Sequence, residues 1–469
     1  MKTPDFNGLP CLERLNLQGC EKLEEIHPSV GYHERLVLVN MKGCLKLKKF
    51  PPIIHMKNLE TLKLSSCCQL QKFPDIQSNM DSLVSLQLDH TDIEVIPTSV
   101  GKFCTNLVSL DLHRCHKLKR IACNFHLLEC LEDINFFCCS QLQSQDSTSF
   151  KTVMNRIRLQ SFQQDSSVNL KFAQFPCFLR KLNLSFCKLG DEDFPSSICE
   201  LVNLQVLDLR GNYFSRLHFS LSRTPNLKVL NLSCCESLVE LPDLPSSIAI
   251  LKANICSSLK SLGDLSNYKW LWKVSLWNSN KLPRRERVLQ SMLQGNAVED
   301  RFMSLTLPGR QPDMFCNTTT FITLQLPPNW NSEFTGFLVS AENYLWKDEC
   351  VIVIKQEMSM DPQTDHHHDE FDTNLDSYEY AQIGYVPFGS LRHTPWWNSA
   401  HTNISFEIQG KGNCKVELVP RRSTSGDSRE IANDTLDYSE CLEEEYEYRN
   451  TFKIINDPTS SHIQIRWRL

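Results

Sequence analysis

The stretch Leu107 to Ile121, LVSLDLHRCHKLKRI, decides how the rest of the chain is read. Its centre, HRCH (113–116), admits two readings. One is a metal or nucleophile site built from His113, Cys115 and His116. The other is a structural element in which the cysteine has a different task. The frame around it favours the second. Leu107, Leu110 and Leu112 are spaced L-x-x-L-x-L, and Leu110 and Leu112 lie two apart, so both side chains leave one face of a short strand. Cys115 follows three residues later, and Leu118 and Ile121 continue in steps of three.

The same frame recurs at a period of ~24 residues, inside the range of leucine-rich repeats. It starts at Leu12, Leu36, Leu59, Leu83, Leu107 and Leu131, and resumes at Leu179, Leu204, Leu227 and Ile248. One such unit cannot bury its apolar face alone, whereas stacked units build a continuous core beneath a parallel sheet. The expected fold is therefore an α/β-type leucine-rich-repeat solenoid, with a curved parallel sheet and an irregular convex side. Prolines 51, 74, 97 and 242 predict extended convex connections in place of long helices. The interval between Leu131 and Leu179 spans about two periods. Met154, Ile157 and Leu159 fit a decayed repeat there, and a Ser/Gln-rich insertion near 143–178 fits equally well.

Cysteine now has a role in the frame. Cys20, Cys44, Cys67, Cys115, Cys139, Cys187, Cys235 and Cys256 occupy one position of the repeat, Asn212 holds it in another unit and Thr91 in a third. A small, weakly hydrogen-bonding group fits where the chain turns inward beneath its neighbour. Eight of the 21 cysteines are thus expected to be a structural ladder. With no apolar leader at the N-terminus, the thiols are read as free, in a reducing compartment. Cytoplasm, with the nucleus as a second address, is the expected location.

The outward strand positions form the expected binding face. Arg14, Lys42 and Lys63 make its first part basic. Asp89, Asp111 and Asp133 then step across adjacent strands, flanked by His113 and Phe137, with Arg210 further along. Mixed charge around an aromatic anchor suits protein recognition.

Composition sets outer limits. The 469 residues are too many for one ordinary core; 41% are hydrophobic and 22% charged, as in folded proteins. A net charge of −6 argues against non-specific nucleic-acid binding, and no apolar run is long enough to span a bilayer. Residues 1–275 are assigned to the repeats and 276–298 to a cap or linker helix, in which Val288, Leu289, Met292 and Leu293 have helical spacing. Residues 299–469 hold short alternating runs, FITLQLP (321–327), CVIVIK (350–355), ISFEIQ (404–409) and others, which predict an antiparallel β-sandwich.

At these residues the chain resembles plant intracellular immune receptors of the TIR-NB-LRR type. The repeat L-x-x-L-x-L-x-x-C-x-x-L-x-x-[LF]-P is similar to theirs, and KTPDFNGLPCLERLNLQGC (2–20) is similar to an early repeat of their array. Leu307-Pro308-Gly309, Pro312, Phe315, LQLPPNW (324–330), GFLVS (336–340), SFEIQ (405–409) and VELV (416–419) resemble their post-LRR jelly-roll/Ig-like domain, the C-JID; Gln311 and Met314 depart from it. The resemblance implies a protein partner, either a pathogen effector or a guarded host protein, and restraint of NB-ARC and TIR domains. Neither module is present: no G-x-x-x-x-G-K-[ST] occurs, and Gly101-Lys102 and Gly410-Lys411 lack the preceding glycine. The expectation is a truncated product or fragment that is not an enzyme and carries no cofactor or metal. Two alternatives are a substrate adaptor for ubiquitin ligation and a decayed paralogue.

Other features read as structural or solvated. DHHHDE (365–370) is expected in a loop, as are Glu443 to Glu445 near Tyr446. Trp396-Trp397 is either an exposed tip or one buried and one exposed ring. Lys281, Arg284, Arg285 and Arg287 are too few for a nucleic-acid patch. Cys316, Cys350, Cys414 and Cys441 carry no catalytic signature.

Overall fold

A computed structural model describes residues 1–142, 175–194, 196–282, 286–294, 301–308, 321–343, 349–356, 380–394, 397, 402–409, 414–421, 452–456 and 462–468. The chain divides into two compact units, Met1–Ile248 and Ala249–Leu469. The division falls inside the repeat array, ahead of its last two strands.

In the first unit the strands run in chain order as β1 (Arg14–Asn16), β2 (Leu38–Asn40), β3 (Thr61–Lys63), β4 (Ser85–Gln87), β5 (Val95–Ile96), β6 (Ser109–Asp111), β7 (Arg120–Ile121), β8 (Asp133–Asn135), β9 (Lys181–Asn183), β10 (Val206–Asp208) and β11 (Val229–Asn231). Apart from the convex pair β5 and β7, they form one parallel sheet, each strand paired with its neighbour in the repeat. Three-residue strands with a buried middle residue follow from L-x-x-L-x-L: Leu15, Val39, Leu62, Leu86, Leu110, Ile134, Leu182, Leu207 and Leu230 are all buried. Each leucine that leaves water stabilises the stack by roughly 1.5–3 kcal/mol. The convex side is built from short pieces, such as the 3-10 turn Pro28–Tyr32 and the six-residue helix Thr98–Phe103 that Pro97 opens.

The register crosses the long interval without a break. Asp133, Ile134 and Asn135 pair directly with Lys181, Leu182 and Asn183. Met154, Ile157 and Leu159 lie outside the described residues.

The second unit opens with two more parallel strands, β12 (Ile250–Lys252) and β13 (Lys273–Ser275). The repeat carrying β13 was not anticipated, because Ser279 stands at its ladder position. β14 (Met303–Pro308) pairs parallel with β13 on one side and antiparallel with β18 (Tyr380–Pro387) on the other. β18, β16 (Phe334–Asn343) and β20 (Cys414–Pro420) continue that sheet antiparallel. A second antiparallel sheet follows the order β15 (Phe321–Gln325), β19 (Asn403–Gln409), β17 (Glu349–Gln356), β22 (His462–Arg468), β21 (Phe452–Asn456). Phe337 and Phe406 bring the two sheets together, with ring centroids 5.0 Å apart. Trp330, Phe388 and Trp397 extend that core; Trp397 packs 5.0 Å from Trp330. The helix Glu286–Gln294 buries Leu289 and Met292.

Candidate functional site

The ladder residues set the frame on which the outward face is held. The thiols of Cys44, Cys67, Cys115, Cys139, Cys187 and Cys235 donate to the carbonyls of Leu17, Met41, Leu88, Leu112, Phe136 and Leu209, at 3.1–3.3 Å. Asn212 does more: its amide donates to Leu184 O and Leu209 O, and its carbonyl accepts from Leu189 N. Thr91 donates to Leu88 O and meets Cys115 Sγ at 3.4 Å. In the second unit Ser279 takes the same part, donating to Ala253 O and accepting from Cys256 N. Cys20 is half-buried in the first repeat, and Cys256 is buried. Burial pushes the Cys115 thiol up to about 11 and those of Cys67 and Cys187 to about 12. A thiol held protonated in this way is a poor nucleophile.

HRCH therefore comes apart. Cys115 is buried against Leu88 O, His113 lies half-buried on the outward face, and His116 is exposed beyond the turn. The three do not converge.

The residue just before each ladder position has a left-handed backbone: Gly19, Gly43, Ser66, His90, Arg114, Cys138, Phe186, Gly211, Cys234, Ile255 and Asn278, with φ between 55° and 79°. Most of these N–H groups donate sideways to the next repeat, as in His90 N to His113 O and Arg114 N to Phe137 O. The turn thereby adds a second outward column beside the strand positions. Sequence reasoning missed it, although the glycines at 19, 43 and 211 were the signal, since glycine favours positive φ.

The two columns together build a row. His90 and His113 meet edge to face with centroids 4.5 Å apart. His113 meets Phe137 at 6.3 Å, and Phe137 meets Phe186 at 5.6 Å. Arg114 and Arg210 each lie 5.8 Å from the Phe137 ring centre. The aspartates flank the row: His113 Nδ1 is 3.3 Å from Asp111 Oδ1, His90 Nδ1 is 3.2 Å from Asp89 Oδ2, and Arg210 Nε is 3.2 Å from Asp208 Oδ2. Asp89, Asp111, His113, Phe137 and Arg210 are thus gathered, and His90, Arg114, Phe186 and Asp208 join them. Asp133 stands one step back, in register with Ser109 and Lys181. Arg14, Lys42 and Lys63 stay on the first three repeats.

Of the other candidates, DHHHDE, Glu443 to Glu445, Trp396, Gln311, Met314, Arg284, Arg285, Cys316 and Cys441 lie outside the described residues. Among the described residues no helix is long and apolar enough to cross a membrane.

Fold and face define the class: a leucine-rich-repeat protein with a histidine–phenylalanine–arginine row on its strand face. Residues 54–269 match the family model of the leucine-rich repeats of RPS4B-like disease resistance proteins. The chain is similar to TMV resistance protein N of Nicotiana glutinosa, 27% identical over 447 residues that make up 86% of this chain and 38% of that one. It is similar to the disease resistance-like protein DSC1 of Arabidopsis thaliana, 29% identical over 70% of this chain and 31% of the relative. Disease resistance protein RPS4 of Arabidopsis thaliana is 24% identical over 69% of this chain and 27% of its own length. The chain spans well under half of each of these relatives. A solved leucine-rich-repeat protein of Leptospira interrogans is 18% identical over 62% of this chain and 93% of its own, with a TM-score of 0.24.

Proposed function

We propose that the strand face of the first unit is the non-catalytic recognition surface of a plant immune receptor. It takes a protein ligand, either a pathogen effector or a host protein that an effector alters. The reading is carried by the continuous row from His90 to Phe186 with Arg114 and Arg210 alongside it. Aromatic and arginine side chains held on a rigid scaffold are the residue types that dominate protein-binding energy. Ring–ring and cation–π contacts fix the row in advance, which lowers the entropy lost on binding. The antiparallel sheets of the second unit are read as a jelly-roll/Ig-like post-LRR domain acting in the same recognition. Restraint of NB-ARC and TIR modules, and residence in the cytoplasm or nucleus, complete the proposal.

A direct test presents the 469-residue chain to a panel of purified pathogen effectors by biolayer interferometry. At least one effector binds the wild type and fails to bind the Phe137→Ala/Phe186→Ala variant. Binding that survives this double change would place recognition elsewhere.

A further inference from the structure

We propose that Asp89, His90 and His113 form a divalent-cation site of the zinc class at the outward end of β4 and β6. The inference is independent of the recognition reading. It also revises the expectation that the chain holds no metal ligands, with a donor set different from HRCH itself.

The site is assembled by the repeat. Gln87 and Asp111 are in register, and His90 N donates to His113 O at 2.9 Å, so the two turns carrying the donors are fixed side by side. One ligand atom from each of Asp89, His90 and His113 lies within 4.8 Å of the others. Two imidazoles and a carboxylate are the donor types that zinc takes in open sites, at about 2.0–2.2 Å. Two ligands of a tetrahedral ion at such distances stand roughly 3.3 Å apart. His90 Nδ1 and Asp89 Oδ2, at 3.2 Å, already have that separation. His113 completes the set by a side-chain rotation, its ring lying 4.5 Å from that of His90 and nearly perpendicular to it.

Outer partners hold the donors. Ser65 Oγ donates to Asp89 Oδ1. Asp111 stands 3.3 Å from His113 Nδ1, and by accepting from that nitrogen it leaves Nε2 as the ring's ligand atom. With side-chain exposures of 13%, 34% and 28%, Asp89, His90 and His113 are partly sheltered yet reachable by a hydrated ion. Three protein donors leave a fourth position for water or for a group on a partner.

One neighbour opposes the ion. Arg114 Nη1 lies 3.3 Å from His90 Nε2 and donates to it. A metal on Nδ1 places the ring proton on Nε2, which can then no longer accept, so Arg114 must swing away toward Phe137. Arg114 therefore sets the affinity by competing with the metal.

The test is a zinc titration of the full chain at pH 7, by competition with a chromophoric chelator. The background carries His366→Ala, His367→Ala and His368→Ala, so that the histidine run adds nothing. One equivalent binds in this background. His90→Ala, His113→Ala and Asp89→Asn each weaken binding at least ~10-fold. Arg114→Ala tightens it, and Cys115→Ser and His116→Ala leave it unchanged. Circular dichroism on each variant checks that the fold persists. An absence of zinc uptake in the background, or uptake unchanged in the His90→Ala/His113→Ala double variant, overturns the proposal.

Discussion

Phe137 and Phe186 meet edge to face, 5.6 Å between ring centres, across the junction of β8 and β9. At that junction neighbouring strands stand about two repeat lengths apart in the sequence, where one is the rule. β8 and β9 nevertheless pair directly, and the aromatic row continues from one to the other. The recognition surface proposed above therefore draws on repeats from both sides of the long interval at once.

The aspartates that step across the face give the first prediction. Asp111 and Asp133 are half-buried at their strand ends and project away from the core. Asp111→Lys with Asp133→Lys should abolish binding of any effector captured by the wild-type chain. The melting temperature should move by less than ~2 °C, because surface changes fall mostly within about ±0.5 kcal/mol. A large fall in melting temperature would assign these carboxylates to the fold.

The ladder gives the second. Asn212→Ala strands the carbonyl of Leu184 and the N–H of Leu189 in a fully buried turn. Each stranded group costs about 1–3 kcal/mol, so the urea midpoint should drop by the equivalent of about 3 kcal/mol. Cys187→Ala loses one weaker bond to Phe136 O and should cost less. Equal losses for the two would contradict the hydrogen-bond account.

Burial of the thiols gives the third. Cys67, Cys104 and Cys187 are pushed up to about 12 and Cys115 to about 11, in each case mainly by burial. In the unfolded chain the same groups ionise near 9. A folded value above the unfolded one means that the unfolded state binds fewer protons at high pH. The stability these thiols contribute is full below about pH 9 and falls as pH rises toward 11–12. Urea midpoints between pH 7 and 10.5 should show that decline. At pH 8 Ellman's reagent should label exposed Cys11, Cys68, Cys130 and Cys177 in the native state before the ladder cysteines.

The left-handed column gives the fourth. A Cβ on Gly43 would meet only the backbone of Gly19, its Cα and N both at 3.7 Å, so space is available and the obstacle is the φ of +79°. Gly43→Val should cost about 1–2 kcal/mol. Ser66, at φ 58°, already carries that strain, and Ser66→Gly should be neutral or stabilising in thermal melts. Destabilisation by both changes would refute the torsional explanation.

Much of the first unit was legible in the sequence, because period and side-chain alternation are written in leucines. Each of the ten strands starting two residues after Leu12 through Ile248 falls where L-x-x-L-x-L puts it. The strand at 273–275 was lost because Ser279 replaces the cysteine and Trp272 and Trp277 hide the spacing. On the binding face the outward strand positions could be counted off. His90, Arg114 and Phe186 could not, because a left-handed turn is visible in sequence only where glycine supplies it, and at these three positions it does not. The meeting of His113 with His90 depends on lateral register between repeats, which no local motif encodes. Of the HRCH residues only His113 lies on the outward row, while Cys115 is buried in the ladder and His116 lies beyond the turn.

The most direct measurement of the central claim is a binding titration of one captured effector against the wild-type chain and the Arg114→Glu/Arg210→Glu variant, with melting curves for both. The account predicts at least a tenfold weaker Kd, or about 1.4 kcal/mol or more, with the melting temperature held. An unchanged Kd in a folded variant would contradict it.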